Sequence, residues 1–191
     1  VYYSLKSFFD SPQKLKINKK FKDYKKINFM RELALNGEKE FSYVPAIIEN
    51  KGEKLKAKIR LKGDRDIHYK DLNTSSYRIE IKNDKTFLGM SKFSIHKPVA
   101  RNYIREWIYL KMNYNEGIVT PRYKFIEVNI NGQSKGLYAI EEHYTKHLIE
   151  YNNRKEGPII RFNENYGLSF ENSRIEPYQI SKEVKNYETM K

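Results

Sequence analysis

The chain has no cysteine among its 191 residues. That excludes disulfide scaffolds, cysteine-ligated zinc ribbons and thiol nucleophiles, and it fits either side of a membrane. No apolar run approaches the roughly 20 residues that a membrane-spanning helix needs. The glycine-rich phosphate signatures GxxxxGK[ST] and GxGxxG are missing. So is a serine nucleophile elbow leading from a strand into a helix. There is no internal repeat and no low-complexity segment. Arginine is scarcer than lysine, and since base and phosphate readout favours the arginine fork, specific nucleic-acid binding is not expected.

What is present is positive charge and tyrosine. The 37 Lys and Arg against 24 Asp and Glu leave a formal charge of +13. Such an excess suits anionic partners: phosphate-bearing small molecules, acidic glycans or an acidic membrane face. A lysine-rich surface from a biased genome is the plainer alternative. Sixteen Tyr and ten Phe argue against disorder despite a mean hydropathy of -0.84. The length allows one domain with a true core. The chain starts at Val1 rather than Met, so an anchor or leader is expected only outside it.

Hydrophobic periodicity sets the order of elements. Lys14 to Asn18 alternates as a strand, and Lys19 to Asn36 carries apolar residues at helical intervals, with Asn36-Gly37 as its stop. Val44 to Glu49 and Leu55 to Lys62 form a hairpin whose second strand turns Leu55, Ala57, Ile59 and Leu61 one way. Lys56, Lys58, Arg60 and Lys62 turn the other way. Ser76 to Lys82 and Lys92 to His96 are further strands. Ala100 to Asn115 predicts a helix, with Tyr103, Trp107, Leu110 and Tyr114 on one stripe. Val119 to Lys146 is the strongest signal: two strands joined by Asn131-Gly132, the type I′ hairpin pair, ending in Glu141-Glu142. Lys146 to Asn152 follows as a short helix and Gly157 to Phe162 as a strand. The expected class is α+β, a mostly antiparallel sheet with one or two packed helices. Residues 1–13 read as an arm or linker, 14–165 as the domain, and 166–191 as a polar tail.

Several positions invite chemistry, each against a plainer alternative. Gly63 could open a turn that holds phosphate, or be an ordinary turn. Arg78, on the face away from Tyr77 and Ile79, could pair with Glu106 of the next helix, or be a surface charge. His143 and His147 have i, i+4 spacing for a metal, without a third ligand in reach. Glu141 and Glu142 mark either a binding edge or a solvated strand end.

Assembled, the strings RLKGDRDIHYKD, SSYRIEIK, FLGMSKFSIHKP, RNYIREW, TPRYKFIEVNINGQSKGLYAIEEHYTKHL and EGPIIRF resemble the spore-coat CotH kinase family, closest to its large envelope-type bacterial members. The resemblance covers roughly residues 55 to 165, and Gly136, Tyr138 and Glu142 form its most specific piece. It implies a sheet like the N-terminal lobe of an atypical protein kinase, binding ATP with Mg²⁺ for phosphoryl transfer to a protein acceptor. It further implies Gly63 as the phosphate-side turn and Arg78 as the basic residue on the phosphates. Glu106 becomes the helix partner of Arg78, and Glu142 the hinge carboxylate touching the nucleotide, with Glu141 the surface residue of the pair. The family's turn is usually Gly-Asn-Ser-Ser, whereas Asp64 here follows Gly63. The 45 residues after Lys146 contain no Asp, too few for a second, catalytic lobe. The expectation is therefore a nucleotide-holding part of a longer kinase, with no catalytic residue of its own and no phosphoryl transfer alone. The alternative is a non-catalytic module binding anionic surfaces of the spore coat or cell envelope.

Overall fold

The computed structural model describes residues 12–50, 52–63, 65–155, 157, 159–163 and 174–179. Most of the expected arm over 1–13, Asp64, and all of the tail over 166–191 except 174–179 lie outside the described residues. The chain divides into two compact units, residues 1–143 and 144–191.

The first unit is a closed barrel of seven strands: β1 (Lys14–Asn18), β2 (Val44–Asn50), β3 (Glu53–Leu61), β4 (Tyr77–Ile81), β5 (Lys92–His96), β6 (Tyr123–Ile130) and β7 (Gln133–Glu142). Its strand order is β1-β2-β3-β4-β5-β7-β6. Neighbours are antiparallel except at one seam. There β1 pairs in parallel with β6, Leu15 opposite Val128 and Ile17 opposite Ile130. Each strand turns alternate side chains inward, as the period of two requires. The interior is filled by Leu15, Ile48, Leu55, Ile59, Ile79 and Phe93, all buried, together with their neighbours. At the β6–β7 turn, Asn131 and Gly132 have φ of 50° and 82°, the two positive values that a type I′ hairpin demands.

This corrects the expected fold class. The domain is not an α+β sheet with packed helices resembling a kinase N-terminal lobe; it is mostly β and closed. Alternation in a strand reveals that one face is buried, but not whether the two ends of the sheet meet. Here β1 bonds on both sides, to β2 and to β6, which removes both edges. A barrel that fills its own interior leaves helices outside. The first helix, α1 (Phe21–Leu35), buries Asp23, Ile27, Met30 and Ala34. The second, α2 (Arg105–Asn115), buries no residue at all. It also starts later than its stripe predicts. Pro98–Arg101 forms a 3-10 turn, and Asn102 and Tyr103 follow in the left-handed region at φ 52° and 60°. A helix cannot propagate through two such residues.

The second unit holds α3 (Lys146–Tyr151), whose Leu148 is buried, and a two-stranded antiparallel ladder of β8 (Ile159–Asn163) with β9 (Arg174–Gln179).

Candidate functional site

Strand register builds a polar row on the outside of the barrel. Arg78 of β4 lies opposite Ser94 of β5, Ser94 opposite Glu141 of β7, and Glu141 opposite Tyr123 of β6. Residues in register share a face, so these four project outward while Ile79, Phe93 and Ile140 project inward. Lys62, just past β3, joins the row: its Nζ lies 3.0 Å from Glu141 Oε2 in a largely buried ion pair. His96 donates or accepts at Nε2 with Tyr123 Oη, 3.1 Å away. Its Nδ1 is 3.9 Å from Glu141, too far for a hydrogen bond. Ser94 Oγ is buried and makes no hydrogen bond among the described residues.

The charges in the row are set by burial and by each other. Burial pulls the Lys62 ammonium below its ordinary value, and Glu141 only partly restores it. Burial pushes the Glu141 carboxyl upward, but Lys62, by charge and hydrogen bond, with Arg101 behind it, outweighs this and holds it below the usual range. The short contact makes this an ionised pair. His96 is pulled down to about 3, first by burial and then by Lys62. His143, next after β7, is also pulled down to about 3, by burial and then by Arg78, Lys92 and Lys62. Both histidines are therefore neutral near pH 7, and His96 forms no ion pair with Glu141. The row's cations are Lys62 and Arg78, with Arg101 close enough to act on Lys62.

Glu142, one residue on, points the opposite way and does different work. Only 2% of it is exposed. Its carboxylate takes Nε of Arg122 at 2.8 Å and the Arg122 backbone N–H at 3.1 Å, while Arg122 Nη2 donates to its other oxygen. The same guanidinium donates to the carbonyls of Leu88 and Gly89. Arg122 and Glu142 thus tie β6 and β7 to the turn between Phe87 and Met90. Glu141, taken from the sequence as the surface member of the pair, is instead half-buried and bound to Lys62.

Gly63 follows β3 with φ of 114°, and a Cβ built on it would overlap the side chain of His68. His68 is itself buried, with Nδ1 3.0 Å from Ser76 Oγ. The Ser76 N–H donates to the His68 carbonyl at 2.7 Å, and the Lys62 N–H to the Ser76 carbonyl at 3.0 Å. The turn is therefore folded tightly against the start of β4. Gly63→Ala should lower stability by at least about 1–3 kcal/mol, since that φ belongs to glycine and the methyl has no room. Urea unfolding measures it, and a loss under 0.5 kcal/mol would mean the turn is free to move (about the spread of neutral surface changes).

Glu106 opens α2 in the wall of a hollow of about 450 Å³, with Arg65, Arg101 and Arg105 as its charged neighbours. Of the four residues that the resemblance placed at a nucleotide, Arg78 and Gly63 flank Lys62, Glu142 belongs to the Arg122 lock, and Glu106 stands with these other arginines. Lys62, Ser94, His96 and Arg122 were not singled out, and Glu141 was read only as the surface neighbour of Glu142. Lys62 carried a signal, being last in the basic stripe of β3. Arg122 carried none.

Residues 59–191 match the family described as CotH kinase protein. No curated protein matches the chain.

Proposed function

Since the chain belongs to the CotH kinase family, we propose that its barrel unit supplies phosphate-holding groups for ATP in a kinase-type phosphoryl transfer to a protein acceptor. The observation that carries this reading is the outer row of Lys62, Arg78, Ser94 and Glu141. Phosphoryl transfer asks for positioned cations more than for covalent chemistry. Arg78 brings a planar fork suited to phosphate oxygens. Lys62 brings a point charge steered by Glu141, and Ser94 Oγ is a donor with no bond to spend among the described residues. Gly63 lies beside Lys62 at a φ of 114°, which lets its backbone come close to an anion. Arg101 reaches the Lys62–Glu141 pair electrostatically, and Glu106 stands with Arg101 on the same wall. Glu142 supports the site from behind, by fixing the end of β7 through Arg122.

These residues fit the phosphates of a nucleotide. Mg²⁺ takes one or two carboxylates together with phosphate oxygens and water, and the one carboxylate of the row, Glu141, is already held by Lys62.

Calorimetric titration with ATP, with and without Mg²⁺, tests the reading. Binding is expected for the parent chain and should weaken about tenfold or more in Arg78→Ala, the loss of one charge-assisted hydrogen bond. Arg78→Lys should recover part of it. Indistinguishable heats for the parent and Arg78→Ala would remove Arg78 from nucleotide binding, and null heats for both would remove nucleotide binding from this chain.

A further inference from the structure

On the same unit, two contiguous hollows lie beside the row just described and meet it only through the charge of Arg101. The arginine-walled one, with Arg65, Arg101, Arg105 and Glu106, shares Ile67 and Val99 with a second of about 550 Å³. The second is apolar: Pro98, Tyr103, Ile104, Phe125 and Leu137 line it, with Lys97 at its edge. Ile67, Val99, Tyr103, Ile104 and Leu137 are all exposed, and the apolar face continues along α2 through Trp107 and Ile108. Side chains at helical spacing that would ordinarily form a core stripe here face outward, and α2 buries none of its residues. Exposed apolar surface of this extent, rimmed by polar groups, marks an interaction site.

The charge around it says what would cover it. The two hollows are lined by Arg65, Lys97, Arg101 and Arg105 against the single carboxylate of Glu106. Arg101 Nε is buried and makes no hydrogen bond among the described residues, a donor ready for an oxygen acceptor. A second copy of the chain, itself at +13, would meet like charge. A concave, cationic-edged apolar groove suits a polypeptide segment better than a flat bilayer surface. We propose that these joined hollows dock an acidic amphipathic segment of a partner protein, its apolar side chains in the groove of Ile104, Phe125 and Leu137 and its carboxylates on Arg65, Arg101 and Arg105. This inference does not rest on nucleotide binding.

The chain has one tryptophan, Trp107, and it lies half-exposed on the outward face of α2. Its fluorescence can report occupancy. The probe is a synthetic amphipathic peptide with Leu on one face and Glu on the other, compared with a counterpart carrying Lys for Glu. The Glu peptide should give a saturable change that weakens with salt, and the Lys peptide none. Ile104→Asp and Arg105→Glu, both at exposed positions and checked for folding by circular dichroism, should each weaken binding about tenfold or more. Arg78→Ala should leave it unchanged, which separates this site from the nucleotide row. No response to the Glu peptide, or an equal response to both peptides, would overturn the proposal. So would a response to phosphatidylglycerol vesicles alone, or self-association that Ile104→Asp abolishes.

Discussion

Arg122→Met should destabilise the protein by about 3–5 kcal/mol, the cost of leaving a buried charge without its partner. Glu142 is fully enclosed as a side chain, and Arg122 is only 11% exposed. Removing the guanidinium strands the carboxylate and frees the carbonyls of Leu88 and Gly89, which it also satisfies. Glu142→Leu should cost a similar amount by stranding the arginine. The double variant, Arg122→Met with Glu142→Leu, should recover much of the loss, because two apolar side chains of similar volume need no partner. Urea unfolding of the three variants completes a double-mutant cycle, and a coupling near zero would show that the lock does not hold this end of the barrel. The cycle also separates two roles for Glu142. A residue that fixes β6, β7 and the Phe87–Met90 turn changes stability; one that touches nucleotide would change ATP affinity with stability intact.

Acid should unfold this protein in a steep window between about pH 6.5 and 3. His96 is fully buried and its imidazole is held to about 3 in the folded state, against about 6.5 in an unfolded chain. Between those values the unfolded chain binds the proton and the folded one does not, so stability is complete above 6.5 and falls as pH drops. At 1.36 kcal/mol per unit, His96 alone is worth on the order of 4–5 kcal/mol over the whole window. His143, held to about 3 by burial and the cations of the row, adds a smaller share because it is partly exposed. The carboxylates act in the same direction lower down: Glu80 is held at about 2 by Lys58, Lys92 and Tyr43 against the opposing effect of burial, and Glu141 is also lowered. Unfolding free energy measured from pH 7 to pH 4 should fall several-fold faster for the parent than for a His96→Asn, His143→Asn double variant. Equal slopes would mean that neither histidine is kept neutral by the fold.

How much of this could be read in advance varied with the element. The β6–β7 hairpin was legible because Asn131-Gly132 constrains two consecutive dihedrals and the flanking strands alternate. β3 was legible for the same reason, down to the outward stripe that ends in Lys62. The helix over Ala100 to Asn115 was half legible. Its stripe gave the helical period, but not the break at Asn102 and Tyr103, and not that the stripe would face outward. The class of fold was misread, because a sheet and a barrel have the same strands with the same alternation and differ only at the seam where β1 meets β6.

The adjacent pair Glu141-Glu142 separates the two kinds of information. Sequence alone determined that these carboxylates end a strand and project to opposite sides, since successive side chains on a strand must. It determined too that Arg78 faces away from the core, and that the chain belongs among CotH kinases by residues that lie in order along it. Which partner each carboxylate meets was decided only by tertiary structure. Lys62 and Glu141 are 79 residues apart and Arg122 and Glu142 are 20 apart, and both contacts depend on how strands pair rather than on any local preference. A strand's pattern fixes which face a side chain takes; only the closed register fixes what waits there.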